Sequence, residues 1–261
     1  MAYDTLELDV RGGVAHLTLN RPDAANGINL ALARDLMDAT LAITADSRVR
    51  AVLLTGAGAR FCGGGDLKSF VRQEQLPTHI REILGPLHVA IAQLVRGDAP
   101  VVAAVQGSAA GAGMGLVGAS DLVVAGESAK FVMAYTGVGL TPDGASSWFL
   151  PRLVGLRRAI ELTFTNRVLS AAEALDWGLI TSVVADDQVQ GEAETLATRL
   201  AEGPTRTFAA AKRLLHTSLE STLESHLARE AEEISAASAR ADGIEGMTAF
   251  VEKRAPQFRG E

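Results

Sequence analysis

Leu6, Leu8 and Val10 alternate with polar residues, and after Arg11-Gly12-Gly13 the alternation resumes at Ala15, Leu17 and Leu19. A two-residue period gives each segment one apolar face, and the paired glycines supply a turn, so the chain opens with a predicted β-hairpin. Arg21-Pro22 ends the return strand. Asn29 stands where a helix cap belongs, ahead of Leu32, Leu36 and Met37 at helical spacing. Residues 51–54 read as a buried strand running into a Gly-rich loop over 56–65. Leu87, Ala90, Ile91, Leu94 and Val95 fall at i, i+3, i+4, i+7 and i+8, which predicts an amphipathic helix over 86–97. Pro100 leads into an apolar strand at 101–105, a second Gly-rich run at 107–115, and a further strand at 122–124. The stretch 69–85 has no readable period. The order strand, loop, helix, strand thus occurs at 49–70 and at 100–125, the signature of an α/β core. From 188 to 254 the pattern is almost wholly helical. Pro204 is expected at the first position of one helix there, and Asp242 with Glu245 is expected to cap another.

Composition narrows this picture. The 261 residues, 48% hydrophobic and 21% charged, suffice for one large domain or a core with an appendage. The expected division is a core over 1–200 and a helical C-terminal region over 201–261. A net charge of −7 without a basic tract argues against a nucleic-acid partner. The single cysteine, Cys62, excludes an internal disulfide framework and a multi-cysteine metal site, and His16 and His79 lack metal-ligand spacing. The first residues show no basic segment followed by an apolar one, and no apolar stretch is long enough to span a membrane. A soluble, cytoplasmic protein without a membrane partner is the expectation.

The chemistry is concentrated in the two Gly-rich loops, around 63–65 and 111–113. Each follows a buried strand and opens a helix. A helix start has N–H groups without intrahelical partners, and glycine lets a ligand atom approach them. Two such groups converging on one point would form an oxyanion hole. Close packing alone is the competing explanation for the glycines. Gly113-Met-Gly115-Leu-Val-Gly118 formally matches a dinucleotide-binding pattern, but it begins eight residues after the strand end at Val105 and lacks the later acidic residue. A P-loop motif is absent.

The sequence resembles the enoyl-CoA hydratase/isomerase (crotonase) superfamily along nearly its whole length. The resemblance rests on Asn20-Arg21-Pro22, Leu53-Leu54-Thr55-Gly56, Phe61-Cys62-Gly63-Gly64-Gly65-Asp66-Leu67 and the run from Pro100 to Gly107. Ser120-Asp121, Pro151-Arg152-Leu153-Val154-Gly155, Ala172-Glu173-Ala174, Trp177-Gly178-Leu179 and the run from Phe250 to Arg254 extend it. It implies an α/β crotonase (ClpP-like) spiral of repeated ββα units with a helical C-terminal region that makes homotrimers or dimers of trimers. It further implies that the hole is formed by the N–H groups of Gly65 and Ala112. Coenzyme A, present only as part of a thioester substrate, would lie against Ala24, Ala25, Asn26 and Ile28 and near Asp66 and Leu67. Lys253 is either a cation for the coenzyme phosphates or a solvated lysine. The resemblance implies no metal and no permanently bound cofactor.

The two glutamates with which hydratases of this family add water map to Gly115 and Tyr135, neither of them a carboxylate. Asp143 falls where isomerases and a dehalogenase of the family keep their acting aspartate, although its Pro-Asp-Gly setting also suits an ordinary turn. His88 maps to the water-activating histidine of the 4-chlorobenzoyl-CoA dehalogenase, but that enzyme's two pocket tryptophans map to Leu87 and Tyr135, and His88 also reads as a structural or pocket-lining residue. Tyr135 could bond Asp143 or the substrate, or simply form a wall. Cys62 reads as packing. The expected activity is enoyl-CoA double-bond isomerisation with Asp143 as acid and base. The alternatives are hydrolysis or dehalogenation through Asp143 and His88, and acyl-CoA binding without catalysis. Pocket walls are expected from 70–90 and 132–148.

Overall fold

The alternating start forms the expected hairpin in a computed structural model, which describes residues 3–261. Strand β1 (Leu6–Arg11) pairs antiparallel with β2 (Val14–Leu19) around Gly12 and Gly13, both at positive φ. Helix α1 (Leu30–Ala45) follows, and the Asn29 side chain accepts from the Leu32 N–H as its cap. Then come β3 (Ala51–Gly56), the short α2 (Leu67–Phe70), α3 (Leu76–Arg96), β4 (Val101–Val105), β5 (Ser108–Ala110) and α4 (Ala112–Gly118). Next are β6 (Leu122–Gly126), β7 (Lys130–Val132), α5 (Ser146–Val154), α6 (Leu156–Thr165), β8 (Leu169–Ser170), α7 (Ala171–Asp176) and β9 (Ser182–Val184). The chain ends in α8 (Val189–Ala201), α9 (Thr205–Thr217), α10 (Leu223–Ala239) and α11 (Ala241–Glu252).

Six strands form one sheet in the order β1-β2-β3-β4-β6-β9, parallel from β2 onward, and β5-β7-β8 form a second, smaller sheet. Strands β4 and β6 lie in the large sheet while their successors β5 and β7 lie in the small one. Two successive turns of the chain, β4-β5-α4 and β6-β7-α5, therefore add one strand to each sheet before a helix, as expected of the ββα spiral. Every residue of β3 and β4 is buried, as their unbroken apolar sequences require of strands covered on both faces. One face carries α1 and α3 in the main core. Against the other, Val189, Ala193, Ala197 and Ala201 of α8 pack on Val14, Leu53, Val102 and Val124.

Three local expectations require correction. Helix α3 begins at Leu76, not 86. Its buried stripe starts at Ile83, and Pro86 sits within the helix, where its missing N–H obscures continuity in the sequence. Pro204 is the residue before α9 rather than its first. Asp242 does not cap α11, whose N-cap is Arg240. Its buried carboxylate accepts from the N–H groups of Arg259, Gly260 and Glu261 at 2.7, 2.7 and 3.2 Å, fastening the C-terminal tail. Glu245 likewise pairs with Arg254 rather than with the helix start. Among the described residues, no helix is long and apolar enough to cross a membrane.

Candidate active site

The first Gly-rich loop is stretched between two neighbours. On one side Cys62 bridges to Ala109, through Cys62 N–H to Ser108 O at 3.1 Å and Ala110 N–H to Cys62 O at 2.9 Å. On the other, Ile28 N–H donates to Gly64 O at 2.7 Å and Asp66 N–H donates to Ile28 O at 2.9 Å. Gly64 lies at φ +91°, and a Cβ there would come within 2.8 Å of Ala110 O. The second loop ends at Gly111, φ +50°, which precedes α4. A Cβ on Gly113 would lie 2.6 Å from Cys62 O, so only glycine lets the start of α4 abut the first loop this closely. The N–H groups of Gly65 and Ala112 have no hydrogen-bond partner among the described residues, and both residues line one cavity of about 290 Å³. Unengaged donors at a water-poor site are what a developing oxyanion requires.

Asp143 lines the same cavity. It ends the irregular segment before α5, where Gly144 and Ala145 both adopt left-handed conformations, at φ +56° and +58°. The Tyr135 hydroxyl donates to Asp143 Oδ1 at 2.7 Å, and Ser146 Oγ donates to the Asp143 carbonyl at 2.7 Å. Burial raises the Asp143 pKa above the ordinary carboxylate value; the Tyr135 hydrogen bond and the nearby His88 oppose that rise. Burial, and then the adjacent carboxylate, push the Tyr135 hydroxyl far above its usual range, so it remains a donor. Among the described residues, no other Asp, Glu or His lines the cavity. His88 is exposed on α3, outside the cavity lining, and makes no hydrogen bond to Asp143. Gly115 is buried in α4, and a Cβ there would overlap the Gly144 carbonyl.

Apart from Thr141, the remaining cavity wall is apolar: Phe70, Ile80, Ile83, Leu84 and Leu87 on one side, Ala134, Val138 and Leu140 on the other. These lie in the two stretches expected to supply walls, although Phe70, Ile80 and Ile83 belong to the part of the chain without a readable period. For Ile80 and Ile83 the signal is the apolar stripe of α3 carried across Pro86; Phe70, on α2, has none. The expected coenzyme-facing loop divides. Ala24 is exposed, Ala25 is partly so, and Ile28 and Leu67 line the cavity. Asn26 is 0% exposed and its side chain is spent inside the protein: Oδ1 accepts from Arg21 N–H, and Nδ2 donates to the carbonyls of Ala57, Arg60 and Phe61. It shapes the loop from behind and offers a ligand no side-chain group. Asp66 caps α2 and pairs with Arg21 at 2.9 Å, an internal brace that sequence reasoning did not assign. Lys253 is exposed at the end of α11, φ +55°, outside the cavity lining. Cys62 is buried, and burial raises its thiol to about 11, so it is no ready nucleophile.

The sequence profile of the enoyl-CoA hydratase/isomerase family matches residues 9–261. The chain belongs to the enoyl-CoA hydratase/isomerase family. Over all 261 residues of both proteins it is 40% identical to a Rhodobacter capsulatus protein named "Probable enoyl-CoA hydratase". It is 38% identical to the 1,2-epoxyphenylacetyl-CoA isomerase of Escherichia coli, over 97% of each chain. The crystal structure of enoyl-CoA hydratase from Bacillus anthracis superposes with a TM-score of 0.93 at 31% identity, covering 99% of this chain and 100% of that one. The fold is thus the crotonase fold, and enzymes of this enoyl-CoA hydratase/isomerase family act on coenzyme A thioesters. Relatives are named as hydratases, isomerases and dehalogenases, so family membership leaves the reaction open.

Proposed function

We propose that the protein is an enoyl-CoA double-bond isomerase in which Asp143 moves the proton and the N–H groups of Gly65 and Ala112 hold the enolate oxygen. One observation carries this reading. A single carboxylate, Asp143, shares a largely apolar cavity with two unengaged backbone donors, and no second carboxylate lines it. Hydration requires a second acid or base to activate and deliver water, whereas a 1,3-proton shift needs only one group that takes a proton and returns it. Asp143 takes a proton from C4 (or C2) of the acyl chain, and the electron pair flows into a dienolate whose oxygen rests between the two donors. The same carboxyl group then returns the proton at the other end of the conjugated system. Burial suits Asp143 to this, because a base works best when its pKa approaches the working pH.

The coenzyme would run from the cavity over Ala24, Ala25 and Leu67, with Lys253 as a candidate cation for its phosphates. We further propose a homo-oligomer assembled through the region beyond residue 200. Leu223, Leu227, Ile234, Ile244, Met247, Phe250 and Val251 of α10 and α11 are all more than half exposed in the single chain, and exposed apolar side chains gathered in one region mark interaction surfaces.

The test is a panel of 2- and 3-enoyl-CoA esters of varied chain length, incubated with the protein in deuterated water and followed by proton NMR. Migration of the double bond supports the reading. Water addition without migration contradicts it, as does release of free coenzyme A with oxygen-18 incorporated into Asp143 in a separate single turnover run in oxygen-18 water. Ester binding without reaction anywhere in the panel would make the protein a binder.

A further inference from the structure

The same two positions that hold carboxylates in the hydratase pattern have a structural use here. We infer that Gly115 and Tyr135 are positioning residues that together seat the Asp143 carboxylate, Gly115 by making room for the backbone beside it and Tyr135 by holding one of its oxygens. The inference rests on the proposed role of Asp143.

The steric half of the argument starts at α4. Gly115 is buried on the helix that begins with the donor residue Ala112. A Cβ built on it would overlap the Gly144 carbonyl oxygen and sit 3.0 Å from the carbonyl carbon, closer than real Cβ atoms approach backbone. Backbone cannot swing aside as a long side chain can. Gly144 also neighbours Ala112, where a Cβ added to Gly144 would stand in ordinary contact 3.8 Å from the Ala112 Cα, so the segment bearing Asp143 runs beside the turn of α4 that bears the donor. The backbone that closes this contact is unusual, because Ala145 follows Gly144 in the left-handed region without glycine's freedom. A residue held there is over-determined by its surroundings. Any side chain at 115 must push Gly144 away and carry its neighbour Asp143 with it. A glutamate at 115 and Asp143 in its present place therefore exclude one another.

The polar half concerns Tyr135. Its hydroxyl reaches Asp143 Oδ1 at 2.7 Å and the Asp143 carbonyl at 3.2 Å, gripping both the side chain and the main chain of the residue. Oδ2 has no partner among the described residues, and Asp143 faces the cavity. With Oδ1 tied, the carboxylate plane is fixed and Oδ2 is the oxygen left to react. In the forward step the substrate C–H bond breaks, an Oδ2–H bond forms and the C–H pair enters the dienolate. In the return step the Oδ2–H bond breaks and the new C–H bond forms. The Tyr135 O–H bond stays intact throughout.

The experiment compares wild type, Tyr135→Phe, Gly115→Ala and Asp143→Asn. Turnover is read with 3-hexenoyl-CoA, binding with the unreactive hexanoyl-CoA, and folding by circular dichroism. Tyr135→Phe should lower kcat by about 10²-fold, the effect of a misplaced reacting group, while hexanoyl-CoA affinity stays within about threefold of wild type. Its acid limb in kcat/KM should move to higher pH by about one unit, because a hydrogen bond favouring the carboxylate has gone. Gly115→Ala should fold and bind hexanoyl-CoA yet lose turnover by a similar factor. Tyr135→Phe with unchanged kcat and an unchanged acid limb would overturn the inference, and so would full turnover in Gly115→Ala. If Gly115→Ala does not fold, the Tyr135→Phe profile decides alone. Failure of the underlying reading looks different: wild type that moves no double bond, or Asp143→Asn that turns over normally.

Discussion

Asp143 shows how far one residue's surroundings decide its chemistry. Its Pro-Asp-Gly setting also suits an ordinary turn, while its place in the family pattern favours the acting aspartate. The structure adds burial, a tyrosine donor and a place in the cavity wall. The consequence is a pH dependence of definite sign. In the proposed mechanism the active form is the carboxylate, and its folded pKa is raised. Activity should therefore be full above that pKa and fall as pH drops through it, with the acid limb of kcat/KM lying above the normal carboxylate value of about 3.9. A limb at or below that value would show that another group, or none, is titrating. Asn26 has a structural use besides: the family resemblance puts its loop against coenzyme A, and the structure spends its side-chain amide on four internal hydrogen bonds at a left-handed φ of +52°. Its partners Ala57, Arg60 and Phe61 are thirty or more positions away, beyond any local pattern. Asn26→Ala should destabilise the fold by about 2–4 kcal/mol, as an unsatisfied buried network does. Urea denaturation would measure it, and a loss below 0.5 kcal/mol (a rough floor for surface sites) would deny the brace.

At the level of elements, legibility followed periodicity. The hairpin, α1 and the buried strands β3, β4 and β6 were readable because alternation, caps and unbroken apolar runs are local signals. The first half of α3 was not, because Pro86 interrupts it and its apolar residues face a cavity rather than a dense core. Strand β5 was missed because three small residues between glycines carry no pattern, and it is defined by its pairing with β7. The two Gly-rich loops were readable as loops, but the reason for Gly113 and Gly64 is a neighbouring backbone that sequence does not reveal. Helix α8 offers the clearest test at this scale. Ala193 is fully buried against the sheet, and its smallness sets the spacing of helix and strands. Ala193→Leu should overpack that interface and cost about 1–3 kcal/mol, seen as a lower midpoint of thermal unfolding. An unchanged midpoint would mean the second core is loosely packed.

For the molecule as a whole, the architecture follows from the sequence pattern and the family resemblance together: a ββα spiral followed by helices, with the candidate cavity where two loops meet. What they did not show is how the chain's end is fixed. The C-terminal tail returns to the Asp242 carboxylate, and Arg50 reaches the Phe258 carbonyl, ties between segments far apart in sequence. The exposed apolar faces of α10 and α11 belong to this scale too. In solution the protein should have the mass of three or six chains by light scattering, and Phe250→Glu with Val251→Glu should shift it toward smaller species. A wild-type mass equal to one chain would contradict the assembly.

The central claim is that one carboxylate carries the proton. The most direct measurement is proton NMR of 3-hexenoyl-CoA in deuterated water with wild type and with Asp143→Asn, alongside hexanoyl-CoA binding to both. The account predicts double-bond migration by wild type, a loss of at least about 10²-fold in the variant, and near-equal binding of hexanoyl-CoA. Undiminished migration in Asp143→Asn would contradict it.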